Sequence, residues 1–262
     1  MSVATCPISG FFERLPALRH RALLLDYDGT VAPFNIERSK AVPYPGTMES
    51  LQRIAGNSDT RLVFITGRSA GELAGLLQPY RLKCEIWGMH GWERLTADGS
   101  YTTAEENPNS LLIQHADELL QMEGLGELVE LKPAAVAVHY RGLGLDLQRE
   151  ARAASLRVFA SLSTRTRHRI LEFDGGIEFI LGNRDKGDAV RAILAEMPAQ
   201  NAIAYLGDDA TDEDAFRALP RHGLSVLVRR EFRPTAAQAW LRPPEELTAF
   251  FQQWDSACGG AA

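Results

Sequence analysis

A chain of 262 residues, 45% apolar and 24% charged, carries enough apolar material for one large domain or two modest ones, each with its own core. A formal charge of −6 without a long basic run argues against a nucleic-acid role, and no apolar run approaches the roughly 18 residues of a membrane span. The N-terminal MSVATCPISGFFERL lacks a secretion signal's basic start and long apolar stretch, and three scattered cysteines, Cys6, Cys84 and Cys258, suit a reducing cytoplasm better than a disulfide framework or a zinc site.

Residues 22–28, ALLLDYD, form a short apolar run that ends in acids. A helix is expected over Pro45 to Ala55, with Met48, Leu51 and Ile54 on one face. Residues 61–68, RLVFITGR, are a second apolar run, ending in Thr-Gly-Arg, and a second helix follows over 69–77 with Leu73, Leu76 and Leu77. The middle of the chain changes character. Residues 110–122 read as helix, 128–132 and 135–141 as a strand pair around Pro133, 146–162 as helix, and 169–174 with 177–181 as a hairpin around Gly175-Gly176. A third apolar run, 202–209 (AIAYLGDD), ends in Gly-Asp-Asp. A further helix is expected after 235, and the tail from Cys258 to Ala262 reads as disordered.

Apolar runs without polar alternation suit strands buried on both faces, and their alternation with helices predicts an α/β fold with a doubly wound, mostly parallel sheet. The expected division is a core from residues 1–105 and 183–262, with an inserted α+β unit over 106–182. In such sheets ligands bind beyond the carboxyl ends of the strands. Asp26, Asp28, Thr66, Asp208 and Asp209 should therefore converge on one edge.

Two carboxylates one residue apart, in the D-Y-D-G-T of 26–30, fit together poorly without a cation, and magnesium prefers such hard oxygen ligands. Gly29 allows a sharp exit turn and Thr30 can cap the segment that follows. A strand followed by an ordinary Asp-Gly turn is the plainer alternative. In G-D-D-A-T-D-E-D-A-F, Thr211 and Asp214 have the spacing of a capping box, which accounts for Glu213 and Asp214 but leaves Asp208 and Asp209 as a second half of a metal site. Thr66 is a candidate donor to a phosphoryl oxygen. Only four basic residues are lysine; Lys40 and Lys83 read as chance, while Lys186, in R-D-K-G-D, reads as a compact positive charge beside Asp26 and phosphate. An aspartate attacking phosphorus divides a very slow hydrolysis into two steps, with metal and lysine offsetting charge and Asp28 moving the proton.

These segments resemble the four motifs of the haloacid dehalogenase superfamily. G-M-H-G-W-E (88–93), E-L-K with the later H-Y-R (130–141), G-D-D-A-T-D-E-D-A-F and T-A-A-Q-A-W-L (235–241) are similar, more narrowly, to the trehalose-6-phosphate phosphatase family. The resemblance implies Asp26 as nucleophile and Asp28 as acid and base. It implies magnesium held by the Asp26 carboxylate, the Asp28 carbonyl and Asp208, with Asp209 nearby, and phosphate held by Thr66 and Lys186. It makes the insertion a mobile C2-type cap whose Glu130, Lys132, Arg141 and Glu178 contact a sugar, with Gly67, Arg68, His90, Gly91 and His139 also in substrate-binding motifs. By the period of two, Glu130 and Lys132 share one strand face, and His139 and Arg141 share a face of the adjacent segment. Arg165, Arg167 and Arg169 read as a solvated cationic face. One departure stands out: Glu178-Phe179-Ile180-Leu181 occupies the place of the family's Glu-x-Arg-Pro, which bears on sugar specificity.

The substrate implied is trehalose 6-phosphate, with a trehalose-6-phosphate synthase as functional counterpart. Alternatives are phosphatases of the same fold acting on sucrose, mannosylglycerate or glucosylglycerol phosphate, a phosphosugar mutase, a signalling receiver domain, and a catalytically silent regulatory homologue. Receivers are about half this length and lack the D-x-D-G-T spacing.

Overall fold

The computed structural model of the chain describes residues 7–35, 37–57, 59–104, 110–132, 134–163, 168–182 and 184–259. The expectations that fall on Cys6, Pro133, Arg165, Arg167, the border at 106 and the last three residues of the tail lie outside this set. The chain divides into two compact units, one of residues 1–103 with 185–262 and one of residues 104–184.

The larger unit carries α1 (Pro7–Arg14), β1 (His20–Leu25), α2 (Thr47–Asn57), β2 (Thr60–Ile65), α3 (Ala70–Leu77), β3 (Glu85–Gly88), β4 (Glu93–Leu95) and β5 (Tyr101–Thr103). The smaller unit follows with α4 (Ser110–Met122), β6 (Val129–Lys132), β7 (Ala135–His139), α5 (Leu145–Leu162), β8 (His168–Phe173) and β9 (Gly176–Leu181). The chain then returns to the larger unit with α6 (Lys186–Ala195), β10 (Asn201–Gly207), α7 (Glu213–Ala218), β11 (Leu224–Val228), β12 (Ala239–Leu241) and α8 (Glu245–Ala257).

The larger unit's sheet has the order β12-β11-β10-β1-β2-β3-β4-β5, parallel from β12 to β3 and antiparallel thereafter. Alternate residues of the central strands feed two apolar layers, as expected of runs with no polar face. Leu23, Leu25, Phe64, Leu206 and Val226 pack with α1, α2, α3 and α8. Ala22, Leu24, Val63, Ile65, Ile203 and Tyr205 pack with α6 and α7. This is the doubly wound α/β fold the sequence predicts.

The smaller unit is an antiparallel sheet of order β6-β7-β9-β8. Val136, Val138, Ile177, Phe179 and Leu181 form a core with Ile113, Ala116 and Leu120 of α4 and Ala154, Val158 and Phe159 of α5. With a period of two, Glu130, Lys132, Ala137, His139 and Glu178 take the sheet's other face.

Three local expectations are corrected. The helix expected after 235 starts at Glu245: Pro243-Pro244 cannot continue a helix from upstream, and residues 239–241 pair with β11 instead. Thr30 does not cap a helix, since the residues described directly after it, 31–35, are not helical, and its hydroxyl lies 3.4 Å from Asp208 Oδ1. The capping box is formed by Asp209 and Asp212, not Thr211 and Asp214. Strands β3, β4, β5, β11 and β12 are not among the elements expected from the sequence.

Candidate functional site

Parallel pairing of β1 with β10 sets Leu25 opposite Leu206, and the Asp26 amide donates to the Leu206 carbonyl at 2.9 Å. Asp26 therefore leaves its strand beside Asp208. Gly29 then passes so close to Asp208 that a Cβ there would stand 2.2 Å from Oδ2, and its φ of +91° is one that a side chain resists. The Asp-Gly turn that ends the first apolar run is thus fitted to a carboxylate just beyond another strand.

Lys186 opens α6, which Asp185 and Asp188 cap reciprocally. Its ammonium, 2% exposed, donates to Asp26 Oδ1 and Asp212 Oδ1, each at 2.7 Å. Asp212 is the centre of this arrangement. It also accepts from the Tyr205 hydroxyl at 2.6 Å and from the amides of Asp208 and Asp209 at 2.9 Å each. One oxygen of each of Asp26, Asp208 and Asp212 lies within 4.8 Å of the others.

Three buried carboxylates against one buried ammonium leave a formal excess of negative charge, which is costly away from water. Burial, opposed by Lys186 and reinforced by Asp212 and Asp28, pushes the Asp26 carboxyl up to about 7. Burial and the neighbouring Asp26, Asp212 and Asp209 push Asp208 well above the usual carboxylate range. Burial alone would pull the Lys186 proton off, but Asp212 and Asp26 outweigh it and keep the lysine charged. An all-oxygen, electron-rich cluster of this kind fits a hard divalent cation, which opposes both carboxylate shifts.

Asp28 and Asp209 turn their side chains elsewhere. Asp28 is gripped by Arg68, Nε to Oδ2 at 2.6 Å and Nη2 to Oδ1 at 2.7 Å. Arg68, only 1% exposed, also donates to Glu72 and to the Arg38 carbonyl at 2.9 Å. Asp209 accepts from the Ala210 amide at 2.7 Å as the cap of the 210–212 turn. Thr66 is buried at the end of β2, and its hydroxyl oxygen accepts from the Arg68 amide at 3.1 Å, which leaves its own proton to donate. Gly67 lies against the buried His90 imidazole, and Gly91 follows it in the turn after β3.

In the smaller unit, Lys132 and the buried Glu178 pair at 2.6 Å, Lys132 lies 3.9 Å from Glu130, and Glu130 meets His139 Nε2 at 2.7 Å. Ala137 stands between Glu130 and Glu178 in register and is fully buried. Arg141 falls beyond β7 and bonds to Asp174 at the turn between β8 and β9.

Sequence reasoning missed Asp212, Tyr205 and Arg233. Asp212 was hidden because acids in a first helical turn have a ready explanation in the helix dipole. Tyr205 looks like strand core and is so except for its hydroxyl. Arg233 carries no motif, yet it donates to the Asp208 and Asp209 carbonyls at 3.2 and 2.7 Å and to Glu213 at 2.7 Å, tying down the turn.

A family model described as trehalose-phosphatase matches residues 24–240. A trehalose-phosphate phosphatase of Mycobacterium tuberculosis is 32% identical over 248 residues, covering 88% of this chain and 60% of the relative. The chain thus spans about 60% of the length of the curated relatives it matches first. Among solved structures, the C-terminal domain of a C. albicans trehalose-6-phosphate phosphatase aligns with a TM-score of 0.83 at 19% identity, covering 97% of this chain and 99% of that one. The C-terminal domain of the Candida albicans trehalose synthase regulatory protein aligns at 0.68 and 13% identity, covering 95% and 98%. At these identities the two structures speak for the fold alone.

Proposed function

The chain belongs to the trehalose-phosphatase family, and from that membership we propose that it hydrolyses trehalose 6-phosphate to trehalose and inorganic phosphate. The observation that carries the proposal is the Lys186 ammonium bridging Asp26 and Asp212, with Asp208 beside them, in a buried cluster at the strand ends.

Asp26 attacks phosphorus, the bond from phosphorus to the sugar oxygen breaks, and Asp28 gives its proton to that oxygen. Water, deprotonated by Asp28, then attacks the aspartyl-phosphate and frees Asp26 and phosphate. Arg68 orients Asp28 through its two bonds, and each carboxylate oxygen keeps a further lone pair for the proton. We assign Arg68 this orienting role in place of a sugar contact. Thr66 and Lys186 bind phosphoryl oxygens. Magnesium would be held by Asp26, the Asp28 carbonyl and Asp208, with Asp209 adjoining, and supplies charge neutralisation and Lewis acidity when bound. Glu130, Lys132, His139, Arg141 and Glu178 offer the smaller unit's donors and acceptors to sugar hydroxyls, with Gly67, His90 and Gly91 on the phosphate side. A trehalose-6-phosphate synthase would supply the substrate. We place the protein in the cytoplasm, a reading supported by the free thiols of Cys84 and Cys258 and tested by cell fractionation. Among the described residues no helix is long and apolar enough to cross a membrane.

Phosphate release, with and without magnesium, from trehalose 6-phosphate and from sucrose, mannosylglycerate and glucosylglycerol phosphates decides the substrate. Preference for the first upholds the proposal. Preference for another sinks the trehalose assignment, and no release from any of them sinks the enzymatic one in favour of a silent regulatory relative.

A further inference from the structure

The turn after β3 adopts a backbone that its residues do not favour. Met89, His90 and Gly91 have φ of 48°, 56° and 102°. Histidine enters the left-handed region more readily than most side chains, but methionine does not, so neighbouring contacts must impose this turn. They do so from two sides. Toward the Thr66–Arg68 turn, the Thr66 amide donates to the Trp87 carbonyl at 2.9 Å, the Met89 amide to the Arg68 carbonyl at 2.7 Å, and the His90 amide to the Thr66 carbonyl at 2.9 Å. The His90 imidazole, 7% exposed, then lies on Gly67: a Cβ there would stand 3.0 Å from Cε1 and 3.1 Å from Nε2. Toward α6, a Cβ on Gly91 would stand 3.2 Å from the Ala189 Cβ and 3.5 Å from the Asp185 carbonyl oxygen, one residue before Lys186. The turn therefore touches both the segment bearing the Thr66 hydroxyl and the helix bearing the Lys186 ammonium.

We propose that His90 is a positioning residue, acting through Gly67 to hold the Thr66 hydroxyl in fixed relation to Lys186, and that it makes no contact with the sugar. The inference deepens the phosphatase reading and rests on it. Thr66 and Lys186 sit on different elements, and a displacement near 1 Å between groups that hold one phosphoryl unit costs on the order of 100-fold in rate. A close-packed imidazole over a bare glycine prevents such drift, because neither partner has room to move without opening a void.

The test uses the full chain with magnesium. For wild type, His90→Ala, His90→Gly and Gly67→Ala, kcat and KM are measured on trehalose 6-phosphate and p-nitrophenyl phosphate, together with orthovanadate affinity and Tm. Each variant should lose about 10- to 100-fold in kcat by a similar factor on both substrates, with KM changed less than about twofold. His90→Gly sheds the left-handed penalty that His90→Ala retains, so its Tm should equal or exceed that of His90→Ala while its rate falls at least as far, a split that a purely structural role does not produce. The double variant His90→Ala/Gly67→Ala should be no slower than the worse single one, since both act on one contact. A KM increase confined to the sugar phosphate would show that His90 binds sugar, and unchanged kcat in all variants or additive losses would equally overturn the proposal. If wild type releases phosphate from no sugar phosphate, the functional reading fails and orthovanadate decides this one: weaker binding by His90→Ala upholds the positioning role, and equal binding overturns it.

Discussion

At the strand ends of the larger unit, the Lys186 ammonium and its partners Asp26 and Asp212 are almost fully enclosed. On the smaller unit's sheet, Glu130 and His139 pair with 28% and 31% of their side chains still exposed. The first cluster gathers at strand ends and the start of α6, and the second lies along a sheet face, where Glu130–His139 is the exposed pair beside the buried Lys132–Glu178 pair. Removing one partner of the buried set leaves a bare charge away from water, a loss of about 3–5 kcal/mol, whereas an exposed pair is worth about 0.2–1 kcal/mol. On the proposed function, a site that holds one invariant phosphoryl group can use fixed, buried charge. On the same proposal, a face that meets a sugar gains from side chains such as Glu130 and His139 that remain solvated until a hydroxyl replaces water.

The sharpest test of this contrast is Asp26→Asn, which keeps the size of the side chain but not its nucleophile. Turnover should fall by more than about 10,000-fold, with the far-UV circular dichroism unchanged. Substantial residual activity would place the nucleophile elsewhere. Lys186→Met should cost about 3–5 kcal/mol in urea unfolding as well as activity, because Asp26 and Asp212 lose their cation; a loss below 1 kcal/mol would mean that the cluster is not dry. Arg68→Lys keeps the charge and loses the fork. It should slow both a disaccharide phosphate and p-nitrophenyl phosphate about 10- to 100-fold, and an effect on the disaccharide alone would return Arg68 to a sugar-binding role. Arg141→Ala, in the smaller unit, should raise KM about tenfold for trehalose 6-phosphate while p-nitrophenyl phosphate is unaffected. Equal effects on both would erase the distinction between the two regions.

The smallest expected effect is thermal. The folded Asp26 carboxyl titrates at about 7, above its unfolded value of about 3.9. A raised acid favours the fold below its unfolded value, and this contribution is lost as pH climbs through the folded one. Ion-free protein therefore gives up stability between about pH 4 and pH 7, and magnesium, which needs the ionised carboxylate, restores more of it at high pH. Saturating magnesium should raise Tm by about 5–10 °C near pH 8 and by much less near pH 5. Equal shifts at both would mean that the ion binds away from this cluster.

The sheet was legible because its central strands are uniformly apolar, and strands buried on both faces have no other way to look. Residues 224–228 (LSVLV) and 239–241 were missed because short strands depend on a neighbour's open edge rather than on their own pattern. The helix expected after 235 shows the converse, with two prolines displacing a compositionally plausible start to Glu245. Within the site, Asp26 and Asp208 were visible as acids at the ends of apolar runs, and Lys186 as one of only four lysines. Asp212 and Arg233 were not, since an acid near a helix start and an arginine in a loop are ordinary until their partners are known.

Local pattern alone determined that acids and a hydroxyl gather at the carboxyl edge of a parallel sheet, because strand direction and strand-end chemistry are properties of short segments. Which carboxylate Lys186 would share with Asp26, that Arg68 would grip Asp28, and that His90 would lie on Gly67 were decided only when distant segments packed together. Hydrogen bonds and close contacts act over about 3 Å, and separation along the chain says nothing about which residues come that near.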